Sequence, residues 1–123
     1  MKNSVILNKD GIIEITVTGN QTFSSVSSMT EQARKLLADL GKKGKKQLIL
    51  DDITKLGTTD IAARKAVAKA AHELPFQRCV LLGDGSTLMR VATNLLLHGI
   101  GKGSKIRYFE DREKATKWLL GAD

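Results

Sequence analysis

The chain has 123 residues, of which 41% are apolar and 27% charged, and its net charge is +7 with neutral histidines. This composition is typical of one globular domain spanning residues 1–123, and it excludes disordered, collagen-like and coiled-coil chains. No apolar run reaches the roughly 18 residues that a membrane span needs, and the first residues show no leader-like apolar stretch. We therefore expect a cytoplasmic protein, and the positive charge leaves peripheral membrane contact open.

Strands and helices are predicted to alternate in the order β-β-α-β-α-β-α-β-α. Asp10-Gly11 separates two β-branched runs and predicts an opening hairpin. The later alternation indicates right-handed βαβ crossovers, and hence an α/β fold with a mixed, mainly parallel five-stranded sheet and about four helices. The predicted strands are Ser4–Leu7, Ile12–Thr18, Gln47–Asp51, Arg78–Leu82 and Lys105–Phe109, and the predicted helices are Ser24–Leu40, Thr58–Leu74, Ser86–Leu97 and Asp111–Leu120.

Residue types that usually carry catalysis are sparse in this sequence. The single cysteine, Cys79, excludes an internal disulfide and is expected to be a buried structural thiol. His72 and His98 lie on different predicted helices without a further ligand at zinc spacing. The glycine-rich 99–105 segment precedes a strand, whereas a phosphate loop must open a helix. We therefore predict no metal site, no cofactor and no enzymatic activity.

One apolar residue of the second predicted helix lies away from the face that packs on the sheet. Ile61 falls beside Lys65, Lys69 and His72, opposite the alanine-rich side of the helix. An isolated exposed isoleucine needs no functional explanation. In the first turn of a helix beside lysines it also suits a docking surface, and both interpretations stay open.

The predicted 86–97 helix is apolar over a wider angle than one packing face requires. Most of its apolar residues span about 160°, and Leu97 lies outside even that span. Met89, Leu96 and Leu97 form the edge of the apolar surface. Two interpretations fit this pattern. The helix is covered on two sides, or its edge meets a ligand, a partner or a membrane.

A two-glycine turn follows the fourth predicted strand. Gly83 and Asp84 lie where open parallel sheets bind ligands, at the carboxyl end of a strand and before a helix. A plain turn with Ser86 as the helix cap explains the same residues without a ligand. The candidates for a ligand or membrane edge are Gly83, Asp84, Met89, Leu96 and Leu97.

Two segments carry a family resemblance. Residues 48–56 read LILDDITKL, and residues 105–119 read KIRYFEDREKATKWL, a strand closing in an aromatic and an acidic turn before a helix with Trp-Leu. Together with the order of elements, they resemble the STAS superfamily (sulfate transporter and anti-sigma factor antagonist domains), and within it the stand-alone bacterial SpoIIAA-like proteins. The resemblance implies a non-catalytic regulatory or ligand-responsive binding domain. It would act through the loop before the second helix and the apolar edge of the 86–97 helix.

The resemblance also implies a partner or switch loop made of Asp52, Thr58, Thr59, Asp60 and Ile61. In phosphorylation-switched STAS proteins this loop carries Asp-Ser-Ser-Gly, which falls here on residues 60–63. Asp60 keeps the aspartate, but Ile61 and Ala62 replace both hydroxyls, and a kinase needs a hydroxyl nucleophile. Thr58 and Thr59 could substitute as acceptors, or they cap the second helix.

Several partner classes follow from these observations. SpoIIAA-like proteins are similar in fold to the Sec14 (CRAL-TRIO) lipid-transfer domains, which implies a carrier of a lipophilic ligand or a membrane-associated protein as an alternative. A phosphorylation-switched anti-sigma factor antagonist is a further alternative, and an apolar helix edge also suits a homodimer. Aromatic residues make up only 4% of the chain, which disfavours nucleic acid as the partner.

Overall fold

The computed structural model describes residues 2–85 and 105–121, and within them strands and helices alternate along the chain. The elements are β1 (Ser4–Leu7), β2 (Ile13–Gln21), α1 (Phe23–Lys42), β3 (Leu48–Thr59), α2 (Ile61–Glu73), β4 (Arg78–Leu82), β5 (Ile106–Phe109) and α3 (Arg112–Leu119). The predicted 86–97 helix, with Met89, Leu96 and Leu97, lies outside the described residues. Among those residues, no helix has the length and hydropathy needed to cross a bilayer.

The five strands form one sheet in the order β1-β2-β3-β4-β5. Strand β1 runs antiparallel to β2, and the other pairs are parallel, which confirms the predicted mixed sheet. In the hairpin turn, Asn8 Oδ1 accepts hydrogen bonds from the N–H groups of Asp10 at 2.9 Å and Ile12 at 3.1 Å. Gly11 takes a positive φ of 77°, which a residue with a side chain adopts only under strain.

Helices cover both faces of the sheet. Helices α1 and α2 pack on one face and form what we call the α1/α2 core, while α3 packs on the other face and forms the α3 core. Side chains alternate between the two along β3, since Ile49 joins the α1/α2 core and Leu48 and Leu50 join the α3 core. This confirms the prediction that the strand is covered on both faces. Cys79 is buried in the α1/α2 core, also as predicted.

The predicted end of the third strand at Asp51 is wrong, because β3 continues to Thr59. It stays paired with β2 through two register shifts. At the first shift, Thr16 and Thr18 are two positions apart in β2, whereas their partners in β3, Asp52 and Lys55, are three positions apart. Such bulges interrupt the period-two pattern by which a strand is recognised in sequence. Beyond the end of β4 at Leu82, β2 and β3 therefore continue as a two-stranded parallel ribbon.

The helix ends also differ from the sequence prediction. Asp60 caps α2, because its Oδ1 accepts a hydrogen bond from Ala63 N–H at 2.7 Å, so the assignment of Thr58 or Thr59 as the cap is wrong. Helix α1 runs through Gly41 to Lys42. The chain reverses at Gly44, whose φ is +68°.

We expect Asp60→Ala to lower the free energy of unfolding by about 1 kcal/mol, because the first turn of α2 loses its side-chain acceptor. Urea unfolding of the variant measures the loss. Thr58→Ala is the matched control and should change stability by less than about 0.5 kcal/mol, since Thr58 is exposed and caps no helix. An equal loss in both variants would contradict the assignment of the cap.

Candidate functional site

The ribbon of β2 and β3 brings the first turns of α1 and α2 to one edge of the molecule. Gln21 and Thr59 are register partners at the ends of their strands, and each helix begins two residues later, at Phe23 and Ile61. We call the surface made by Phe23, Thr58, Thr59, Asp60 and Ile61 the switch edge. Four of these residues belong to the loop named from the sequence.

Two large apolar side chains are exposed at the switch edge. Ile61 is 67% exposed and Phe23 is 59% exposed. Sequence analysis named Ile61 but missed Phe23, because the first helix was predicted to begin at Ser24. The sequence did hold a signal for the earlier start, since Thr22 and Ser25 form a capping box whose spacing places Phe23 in the first helical position.

Gln21 ties the end of the ribbon to its surroundings. Its side chain is buried, and its Nε2 donates to the carbonyl oxygens of Thr18 at 3.0 Å and Gly19 at 3.1 Å. Its Oε1 accepts from Asn3 Nδ2 and from Ser25 Oγ, both at 2.9 Å. One carboxamide thus joins the chain before β1, the end of β2 and the first turn of α1.

A second side-chain amide holds the far end of β3. Asn20 Oδ1 accepts a hydrogen bond from Thr58 N–H at 2.9 Å. Gly57 passes so close to Asn20 that a Cβ at this position would overlap the amide oxygen. Thr58 and Thr59 therefore belong to a paired strand whose backbone is held in place, and Thr58 is exposed on it.

Of the five switch-edge residues only Asp60 is charged, but exposed basic side chains lie on the strand and helix that carry them. Neither α1 nor α2 carries an acidic residue in its first turn, and the N-terminus of a helix bears a partial positive charge. Lys55, Arg64 and Lys65 are exposed on the neighbouring strand and helix. The carboxylate of Asp60 offsets part of this charge where it caps α2. The edge therefore combines apolar side chains with a basic surround.

Asp52 lies apart from the switch edge, on the face covered by α3. Its Oδ2 accepts from Arg112 Nη2 at 2.8 Å, and its Oδ1 accepts from the backbone N–H and the hydroxyl of Thr54 at 3.0 and 2.7 Å. Arg112 also pairs with Glu14 at 3.1 Å. These contacts give Asp52 a structural role in fixing the start of α3 to the sheet.

Asp51, the residue before it, projects into the α1/α2 core. Its register partners are Ile15 and Leu81, and its Oδ1 is buried with no hydrogen-bond partner among the described residues. Burial, with a smaller contribution from the charge of Asp52, raises the pKa of Asp51 to about 7. Burial and the nearby Asp51 also raise the pKa of the Cys79 thiol. Sequence analysis missed Asp51, although a carboxylate inside a continuous apolar run was a signal for it.

The glycine turn after β4 packs against β5. Gly83 N–H donates to the carbonyl of Phe109 at 2.9 Å, and a Cβ on Gly83 would overlap the ring of Tyr108. Gly85 N–H donates to the Tyr108 hydroxyl at 3.0 Å, and its φ is +84°. Close packing thus accounts for Gly83 and a positive φ for Gly85, while Asp84 is exposed on the turn. The other proposed members of a ligand or membrane edge, Met89, Leu96 and Leu97, lie outside the described residues.

Potential metal ligands are scattered over residues 2–85 and 105–121. Within these ranges no three His, Cys, Asp or Glu side chains come together as a metal site would require. The switch edge offers hydroxyl and apolar groups and a single carboxylate, Asp60, which caps α2, and this set suits contact with a macromolecule better than coordination of a cation.

The family model described as SpoIIAA-like matches residues 12–120 of this sequence. The chain belongs to the SpoIIAA-like family. No protein of curated function matches it. The opening hairpin and the mainly parallel five-stranded sheet described above were predicted from the sequence itself.

Solved structures show the same fold. This SpoIIAA-like chain superposes with a TM-score of 0.66 and 23% identity on an uncharacterized protein from the DUF3478 family with a SpoIIAA-like fold from Shewanella loihica PV-4, covering 95% of this chain and 91% of that one. It superposes on the unphosphorylated anti-sigma factor antagonist SpoIIAA with a TM-score of 0.58 and 17% identity, covering 97% and 98% of the two chains. The phosphorylated Bacillus cell fate determinant SpoIIAA gives 0.57 and 18% identity, covering 95% and 98%.

Asp51→Asn should stabilise this SpoIIAA-like protein at pH 8 and have little effect near pH 4. The pKa of Asp51 is raised from 3.8 in the unfolded chain to about 7 in the native state. As pH rises, Asp51 therefore loses its proton in the unfolded chain before it does so in the native state, and the native state loses stability between pH 3.8 and about 7. At pH 8 we expect a gain on the order of a few kcal/mol, measured by urea unfolding across this pH range.

Asp52→Asn serves as the control for that experiment. It weakens the ion pair with Arg112, so it should destabilise the protein where Asp51→Asn stabilises it. An Asp51→Asn effect that stays constant from pH 4 to pH 8 would show that Asp51 titrates normally.

Gln21→Leu should lower the free energy of unfolding by about 2 kcal/mol or more, because it leaves several buried polar groups without partners. Chemical unfolding measures the loss. Gln32→Leu on the exposed side of α1 is the control, with an expected change below about 0.5 kcal/mol. If the two variants have equal stability, Gln21 does not anchor the switch edge.

Proposed function

We propose that this protein is a non-catalytic regulatory binding domain that docks an acidic protein partner through the switch edge. The observation that carries the proposal is the pair of exposed side chains, Phe23 and Ile61, at the first positions of two helices that start from paired strands. Exposed apolar side chains on a rigid frame with a polar surround are typical of protein-docking surfaces.

Charge supports an acidic partner. The chain carries a net charge of +7, and Lys55, Arg64 and Lys65 are exposed on β3 and α2, the two elements that meet at the switch edge. Lysine and arginine at the rim of an interface steer an acidic surface into contact, and their contribution weakens as salt screens it. The apolar pair would supply most of the binding free energy, and the basic residues at the rim would raise the rate of association.

Phosphorylation at the position implied by the family resemblance has no acceptor here, since Ile61 and Ala62 lack hydroxyls. Binding through the switch edge would then be controlled by the presence of the partner rather than by modification of those two residues. A second candidate is a switch at Thr58, which is exposed on the same edge. Its test is co-expression with candidate switch kinases, where a mass gain of one phosphate on Thr58 supports it and an unmodified chain contradicts it.

Site-specific cross-linking in cells tests the docking proposal. A photo-reactive residue replacing Ile61 should cross-link to a defined acidic protein, which mass spectrometry then identifies. The control replaces Leu120, which is 43% exposed and lies at the end of α3. The same protein captured equally from both positions would contradict docking at the switch edge.

With the captured protein purified, the double variant Phe23→Asp, Ile61→Asp should weaken binding at least tenfold, a loss of about 1.4 kcal/mol or more. The reason is that it removes both apolar contacts and adds charge that repels an acidic partner. Leu120→Asp should bind as the wild type does. Titration calorimetry at two salt concentrations measures both effects, and unchanged affinity in the double variant refutes the proposal.

A further inference from the structure

Three cationic side chains converge on the C-terminal end of α3. Arg78 Nη1 donates a hydrogen bond to the carbonyl oxygen of Trp118, and Arg78 Cζ lies 4.9 Å from the centroid of the Trp118 ring. Arg107 Cζ lies 5.3 Å from the Trp118 ring centroid. Lys46 Nζ donates to the carbonyl oxygen of Leu120 at 3.4 Å. The sheet thus brings together charges from β4, from β5 and from the segment before β3.

No carboxylate balances these three charges within residues 2–85 and 105–121. In the same ranges, by contrast, Arg34 and Arg112 do pair with carboxylates. Because Arg78 and Arg107 flank one ring, their Cζ atoms lie no more than about 10 Å apart, and salt at about 0.1 M only partly screens their repulsion at that distance. A bound anion would remove this repulsion.

Capping of α3 explains only part of the arrangement. Cations are favourable at the C-terminus of a helix, where the carbonyl groups carry partial negative charge, and this accounts for one hydrogen bond from Lys46 and one from Arg78. Arg107 instead lies over the rings of Phe109 and Trp118. A guanidinium that stacks by its face keeps the N–H donors at its edge available, so Arg107 is ready to bind an oxyanion.

A cavity of about 150 Å³ adjoins two of the three cations. Cavities of roughly this volume hold guests the size of benzene, and a phosphate group is no larger. The lining offers hydrogen-bond donors and apolar surface but no acidic side chain, as a site for an anion with a short apolar part requires. The lining residues are Lys46, Leu48, Gln77, Arg78, Leu119 and Gly121.

We propose that Lys46, Arg78 and Arg107 form a binding site for a phosphate dianion, which we call the α3 anion site. Charge selects this ligand, because a carboxylate would bring a single negative charge to three cations, whereas phosphate or a phosphate monoester brings roughly two. Phosphate oxygens also accept paired N–H donors from a guanidinium. The shared chemistry is the phosphate group, and its sources are the free ion and a small monoester whose carbon chain lies on Leu48 and Leu119.

Fluorescence of Trp118 tests the proposal, because Trp118 is the only tryptophan of the chain and two of the cations lie over its ring. Titration of the full chain with inorganic phosphate at about pH 8 and constant ionic strength should change the emission saturably, with a dissociation constant on the order of 1 mM or lower. Sodium chloride should give no saturable change. Equilibrium dialysis measures bound phosphate independently, and none bound up to about 10 mM phosphate would overturn the proposal.

Butyl phosphate distinguishes the two sources of the phosphate group. Tighter binding of butyl phosphate than of inorganic phosphate would support a monoester, whose chain covers the apolar part of the cavity. Equal or weaker binding of butyl phosphate would support the free ion.

Arg107→Gln is the decisive variant, because Arg107 is exposed and its replacement should leave the fold intact. Phosphate binding should weaken at least about tenfold, since charge-assisted hydrogen bonds are lost. Arg64→Gln removes the same charge from an exposed position on α2 and should bind phosphate as the wild type does. Equal weakening in both variants would show that net charge alone attracts phosphate, and it would overturn the proposal.

A carboxylate of the chain itself is the competing occupant of the α3 anion site. Asp123 follows Gly121, which lines the cavity, by two positions in the sequence. Phosphate binding by the wild-type chain supports the proposal. Binding that occurs only in Asp123→Asn would assign the cations to Asp123 and overturn it.

Discussion

The parallel pairing of β2 with β3 beyond the end of β4 is the constraint on which the rest of the functional surface depends. Because of this pairing, the two strands end at register partners, Gln21 and Thr59, and the helices that follow them begin side by side. Two side-chain amides hold this extension, Gln21 from the core and Asn20 from the surface. Without it, Phe23 and Ile61 would lie at the ends of independent loops, and their exposure would carry no implication for docking.

The sequence predicted those parts of the fold in which local pattern and tertiary structure agree. The hairpin turn at Asp10-Gly11 and the strand Arg78–Leu82 are found where periodicity and turn chemistry placed them. The extension of β3 was not predictable in the same way, because each bulge shifts the alternation by one residue and Gly57 further weakens the strand pattern. Sequence analysis therefore named Thr58, Asp60 and Ile61 as parts of one loop but assigned the wrong local structure to Thr58 and Thr59, which belong to β3.

Two adjacent carboxylates show why side-chain chemistry was harder to predict than the fold. Asp51 and Asp52 are consecutive in β3, so they project to opposite faces. Asp52 forms an ion pair with Arg112 and a hydrogen bond with Thr54, whereas Asp51 projects into an apolar core, and this burial raises its pKa to about 7. The local sequence marks Asp51 only as a carboxylate in an apolar run. Its difference from Asp52 arises from residues distant along the chain, such as Arg112, which lies 60 positions from Asp52. Membership of the SpoIIAA-like family likewise follows from residues 12–120 as a whole rather than from the few residues of the switch edge.

Amide hydrogen exchange of the free protein tests the account most directly, because the docking surface exists only if β3 is a paired strand up to Thr59. The amides of β3 beyond Asp52 that face β2 should be protected, and the Thr58 amide, which is bonded to Asn20 Oδ1, should lose protection selectively in Asn20→Ala. Exchange of the 53–59 amides at the rate of an unpaired loop, unchanged by that substitution, would contradict the account.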